Sequence, residues 1–146
     1  MLHLKANDGT ELRLDVLGYQ FASADDDWLI VSGTVTCARG TWSFRDPSLT
    51  TFELKELADW FRQLATPSEK SEISFTEPNL RFGYVEEAGD TALRVSFAQE
   101  NSPPWVTEDE RYGLGYPLKL PCTAQDLETA AAALDEMLTR FPIRAI

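Results

Sequence analysis

At 146 residues the chain has the size of one ordinary domain, long enough to bury roughly 68–70% of its unfolded surface without metal or disulfide support. Apolar residues at 43%, charged residues at 25%, 8 Gly and 8 Pro are globular proportions and exclude collagen-like, disordered and low-complexity classes. The 13 Lys and Arg against 24 Asp and Glu leave a net charge of −11, which argues against nucleic acid or anionic membrane as partners, because both are held by clustered cations.

Leu2 and Leu4 open a first strand, and in Glu11–Val16 the residues Leu12, Leu14 and Val16 alternate with Glu11, Arg13 and Asp15. That period of two belongs to a half-buried strand. Trp28-Leu29-Ile30-Val31 is a continuous apolar run, expected to point Trp28 and Ile30 into the core, and Thr34–Cys37 continues it by alternation. Arg39-Gly40 then turns the chain into Thr41-Trp42-Ser43-Phe44, with Trp42 and Phe44 sharing a face. A period of 3.6 follows. Thr50 and Glu53 form a capping box ahead of the stripe Leu54, Leu57, Ala58, Phe61, Leu64 and Ala65, and Pro67 ends that helix.

Strands resume over Ser71–Thr76, Leu80–Val85 and Ala92–Phe97, the last two joined by a hairpin turn at Gly89 among Glu86, Glu87 and Asp90. Glu108-Asp109-Glu110 reads as a polar loop. The following segment, Tyr112–Leu120, would place Tyr112, Leu114, Tyr116, Leu118 and Leu120 on one strand face. A second helix starts at Thr123, with Asp126 in its first turn and the stripe Leu127, Ala130, Ala131, Leu134, Met137, Leu138 and Phe141, and stops at Pro142. The prediction is an α+β fold: one domain over residues 1–146, a largely antiparallel sheet system of about eight strands and two amphipathic helices packed on it.

Candidate chemistry is sparse. His3 is the one histidine and sits at the start of an edge strand, so Ser-His-Asp and Cys-His catalysis have no base in a suitable context. Cys37 and Cys122 are too few for a disulfide framework or a structural zinc site. Asp25-Asp26-Asp27 lacks the ligand spacing of a calcium loop, and Gly113-Leu114-Gly115 lacks the third glycine and following helix of a phosphate loop. No catalytic, cofactor-binding or metal-binding residue is therefore assigned. No apolar run reaches a membrane span, and Met1–Asp8 has no signal-peptide pattern, so a cytoplasmic location is expected. Trp105 follows the stiff Ser102-Pro103-Pro104 segment and is read either as a cover for one end of the core or as an anchor for a partner.

The most distinctive string is Phe75-Thr76-Glu77-Pro78-Asn79-Leu80, physically a tight turn with Pro78 and Asn79 at its corners. Together with Pro103-Pro104-Trp105, Leu17-Gly18-Tyr19-Gln20-Phe21, Asp27-Trp28-Leu29, Trp42, Leu54, Leu57, Trp60 and Phe141-Pro142, it resembles the WapI family of bacterial immunity proteins. The likeness runs from Leu17 to Arg144, with Asp27 standing where the family pattern favours Asn. It implies a non-catalytic, cytoplasmic protein that binds and neutralises the toxic C-terminal domain of a contact-dependent or polymorphic toxin, and it carries over no catalytic residues. A basic toxin domain such as a nuclease suits a −11 partner. The acids expected to be exposed for it are Asp25, Asp26 and Asp27, with Glu108, Asp109 and Glu110 beside Trp105 as a second group. The competing readings are a general ligand- or partner-binding module and a carboxylate-based hydrolase, which would need inward-pointing acids with raised pKa values.

Overall fold

Alternating strands and two one-sided helices leave few ways to bury every apolar face, and this chain uses two stacked meanders. The computed structural model describes residues 1–64, 72–87 and 90–144. Its elements are β1 (Leu2–Lys5), β2 (Glu11–Tyr19), β3 (Trp28–Cys37), β4 (Gly40–Thr50), α1 (Thr51–Leu64), β5 (Glu72–Ser74), β6 (Leu80–Glu87), β7 (Asp90–Phe97), α2 (Glu108–Tyr112), β8 (Tyr116–Pro121) and α3 (Ala124–Arg140). The strands form two four-stranded sheets, β1-β2-β3-β4 and β5-β6-β7-β8, with every neighbouring pair antiparallel. The α+β architecture expected from the sequence is the observed one.

The two sheets meet through aromatic side chains. Trp42 of β4 packs edge-on against Phe97 of β7 at 5.4 Å between centroids, and Phe44 reaches the same ring at 5.7 Å. Helix α1 closes on the second sheet through Phe61 and Phe82, 5.7 Å apart. Helix α3 lies along α1 and β1, and Arg62 pairs with Asp135 across the two helices. Buried residues from both sheets and both long helices make a single hydrophobic cluster. The expected caps at Thr50 and Thr123 form, and at Thr123 the Asp126 side chain completes a reciprocal box. The Thr50 hydroxyl accepts from Glu53 N–H at 3.2 Å, and Thr123 does the same for Asp126 at 3.1 Å.

Three expectations need correction. Leu29 and Val31, not Trp28 and Ile30, face the core; Trp28 and Ile30 are half-buried on the other face. A four-residue apolar run has no alternation to choose its inward face. The pairing of Leu12 with Val35 and of Val16 with Val31 chooses it, because one register step exchanges the two faces. The second correction concerns Tyr112 and Leu114, which are not strand residues. Residues 108–112 form α2, β8 begins only at Tyr116, and the two side chains are 71% and 76% exposed. Thirdly, Glu108-Asp109-Glu110 is the first turn of that helix rather than a loop. Thr107 and Glu110 make a reciprocal capping box, the same four-residue signal that marks α1, here overridden in the reading by the alternation that follows. Ala65, Pro67, Ser71 and Gly89 lie outside the described residues, although Glu87 and Asp90 on either side of the hairpin are paired.

Phe75 and Phe141 pack at the margin of the core and are half-buried. Phe75 sits edge-on to Phe82 at 6.5 Å, and Phe141 edge-on to Tyr19 at 5.7 Å. Gly33 shows why β3 needs a residue without a side chain. It stands opposite Phe44, and a Cβ there would lie 2.2 Å from the Phe44 ring. The ring occupies the space above the glycine, the sheet device that fills a missing side chain with a neighbouring aromatic. Gly33→Ala should therefore cost about 1–3 kcal/mol by overpacking, read as a lower urea midpoint at unchanged slope.

Candidate functional site

The loop between β2 and β3 carries the first acidic group. Asp27 is only 8% exposed, contrary to the expectation that all three acids are free. Its carbonyl accepts Thr51 N–H at 3.1 Å and its Oδ1 accepts the Thr51 hydroxyl at 2.5 Å. The first N–H groups of a helix have no intrahelical acceptor, and Asp27 supplies one for α1 while placing negative charge at its N-terminus. Asp26 is half-buried and Asp25 exposed. Arg144 organises this loop from the far end of the chain. Its guanidinium lies 3.4 Å from the centroid of the Tyr19 ring and donates to the carbonyls of Phe21 at 3.0 Å, Ser23, and Asp26 at 3.3 Å. Leu17 and Phe21 are exposed apolar residues in the same stretch of chain.

The second group lies at the other end of β3, about 30 Å away along ten strand residues. Trp105 is half-buried beneath the β3–β4 turn. It packs edge-on against Trp42 at 5.3 Å and Tyr116 at 5.9 Å, with the Arg39 guanidinium 5.5 Å from its ring centroid. It covers one end of the core and keeps a partly open edge. Glu108, Asp109 and Glu110 are all exposed on α2, but Glu110 closes the capping box with Thr107. The two acidic groups therefore do not form one patch.

What sequence reading missed is a polar seam between the sheets, built from the most distinctive string in the chain. Asn79 is completely buried, donates from Nδ2 to Asp46 Oδ2 at 2.8 Å, and accepts Ala98 N–H on its carbonyl at 3.1 Å. Glu53 reaches from α1 to accept Thr76 N–H at 2.6 Å. Asn101, also fully buried, donates to the Ser48 hydroxyl at 3.1 Å, and its carbonyl accepts the Trp42 indole N–H at 3.0 Å. β4, the 75–80 turn and the 99–101 turn are thus joined by side-chain hydrogen bonds across the sheet junction. The expected turn exists, but its asparagine faces inward. No local periodicity signals such a side chain, because its partners come from elsewhere in the chain.

Carboxylates gather at the outer edge of this seam. Burial raises Asp46 above its ordinary value, and Glu100 adds to the shift while Asn79 opposes it. Glu77 is raised by burial, then by Glu100 and Asp46. Acids raised on folding favour the folded state fully below their unfolded pKa, and that contribution is lost as pH rises through the folded values. Glu100→Gln removes the repulsion felt by both, so it should stabilise at pH 7 by less than about 1 kcal/mol and have no effect near pH 3. Thermal melts at the two pH values check this.

Other titratable groups point away from nucleophilic chemistry. Burial pushes the Cys122 thiol up to about 11, the reverse of an activated cysteine. His3 faces Glu11 at 3.4 Å on an open strand. Among the described residues no group of three or more His, Cys, Asp or Glu is placed to hold a metal ion. Also among them, no helix is long and apolar enough to cross a membrane. The family model described as the immunity protein WapI-like family matches residues 3–142. No curated protein matches the chain.

Proposed function

Because the chain belongs to the WapI-like immunity protein family, we propose that it is an immunity protein that binds a cognate bacterial toxin domain and neutralises it by covering that domain's working surface. The family match over residues 3–142 carries this reading. The partner that suits a −11 chain is a basic C-terminal toxin domain, a nuclease being the chemistry whose phosphate-holding Arg and Lys make such a face. Opposite net charges accelerate encounter before any contact forms. The mechanism is binding in the cytoplasm and needs no cofactor, nucleic acid or membrane.

The proposed contacts are Asp25 and Asp26 at one end of β3, and Trp105, Glu108 and Asp109 at the other. Asp27 and Glu110, also proposed from the sequence, act by holding their segments in place. The hydrolase reading has one observation in its favour, the raised Asp46 and Glu77. The grooves over the second sheet, beside α1 and between β1 and β8 are lined by other residues.

Co-expression with the C-terminal domain encoded by the adjacent upstream reading frame tests the reading. Growth should be restored, and binding should weaken as salt rises from about 50 to about 300 mM. Asp25→Asn with Asp26→Asn, and separately Glu108→Gln with Asp109→Asn, should each slow association by about tenfold at low salt. No rescue and no binding would overturn the reading.

A further inference from the structure

The second sheet turns one face to the core and leaves the other uncovered among the described residues. A groove of about 750 Å³ runs over that outer face, floored by β6, β7 and β8 and walled by Leu114 and Gly115. Gly115 adopts φ +82, and a Cβ there would lie 2.7 Å from the Phe97 carbonyl oxygen, so the turn into β8 needs glycine and holds Leu114 out in solvent. An aliphatic side chain 76% exposed beside a groove is unusual enough to ask what it meets.

The groove is less acidic than the molecule as a whole: Arg81 and Arg94 line it beside Glu72 and Glu86, in a protein of net charge −11. Arg81 is engaged by Glu72 at 3.3 Å. Arg94 is exposed, and among the described residues it has no ion-pair partner. The register shows how it stays unpaired. Glu72, Gly83, Arg94 and Lys119 form one cross-strand row, so Gly83 separates Glu72 from Arg94 by two strand spacings, about 9.5 Å, with no side chain between them, and the neighbour on the other side is a second cation. Ser96, Pro117 and Glu86 also line the groove.

Resting on the immunity reading, we infer that this groove receives an extended segment of the toxin domain that presents a carboxylate to Arg94 and an apolar side chain to Leu114. Charge complementarity selects that occupant. A free guanidinium calls for an anion and an exposed leucine for an apolar neighbour, while the surrounding negative field repels a polyanion such as nucleic acid. The physical use of such an inverted contact is register. An acidic surface attracts a basic one in many orientations, whereas an unpaired guanidinium at a fixed place admits the orientation that brings a carboxylate to it and penalises the rest.

Charge reversal separates this from general steering. Arg94→Glu makes the chain two charges more acidic, so attraction to a basic toxin alone would tighten binding; the local contact demands a loss of at least about tenfold. Arg45→Glu makes the same charge change at an exposed position of β4 outside the groove and should leave affinity unchanged or improve it. Leu114→Ser should weaken binding about tenfold with no change in thermal stability, since the side chain packs on little in the free protein. The probe is the C-terminal domain of the adjacent reading frame, titrated calorimetrically against wild type and each variant. Wild-type binding that Arg94→Glu and Leu114→Ser do not weaken overturns the inference and leaves the immunity reading standing. Failure of the wild-type chain to bind that domain overturns the reading and the inference with it.

Discussion

Phe61→Asp is expected to abolish the cooperative thermal transition. Phe61 is completely inaccessible in the last turn of α1, in edge contact with Trp60 at 5.4 Å and with Phe82 of β6 at 5.7 Å. Truncating such a ring costs about 3–5 kcal/mol through lost transfer energy and the cavity left behind. An aspartate adds the penalty of a buried, unpaired charge, or of the proton uptake that avoids it. The sum exceeds about 5 kcal/mol, comparable with the whole stability of a small domain. Circular dichroism and thermal melts at pH 7 read the outcome, and Phe61→Leu is the control that keeps bulk and should fold. A near-native melt for Phe61→Asp would show that α1 does not bury this face.

Asn79→Ala should be the most damaging polar substitution, at about 3 kcal/mol. The side chain is fully buried and its amide gives Asp46 a 2.8 Å hydrogen bond. A hydrogen bond to a charged group contributes about 1.5–3 kcal/mol, and removing one partner leaves the other unsatisfied. The loss also has a pH signature. Asn79 is the influence that lowers Asp46, against the burial and the Glu100 charge that raise it. Its removal moves Asp46 further up, so the penalty should be larger at pH 7 than near pH 3, where the carboxyl is protonated in both folded and unfolded chains. Chemical denaturation at the two pH values measures the difference. A loss independent of pH would place the damage in packing alone.

Local pattern sufficed wherever one face of an element is apolar and its ends carry capping chemistry. Leu12, Leu14 and Val16 against Glu11, Arg13 and Asp15 are legible as a strand because alternation needs no knowledge of the partner strand. α1 and α3 are legible because Thr50–Glu53 and Thr123–Asp126 mark their starts and the apolar stripes repeat within a few residues. The antiparallel topology follows from the short connections between strands.

Two kinds of information were missing from local pattern, and both are non-local. Which face of Trp28–Val31 is buried depended on its register against β2 and β4, fixed by residues ten or more positions away. The proposed contact groups were legible as acids but not as places. Asp25, Asp26 and Asp27 look equivalent in the chain, and only the start of α1 against the loop makes Asp27 a buried acceptor and leaves Asp25 free. The sequence by itself determined the type of most elements, the short helix α2 excepted, together with the α+β class and the excess of negative charge, because each of these is set by a residue and its near neighbours. The tertiary structure alone decided that Asn79 and Asn101 join the sheets, that the two acidic groups sit at opposite ends of β3, and that Arg94 is left unpaired above Gly83. Each of those facts is a distance between residues remote in the chain, and it exists only once the strands have paired.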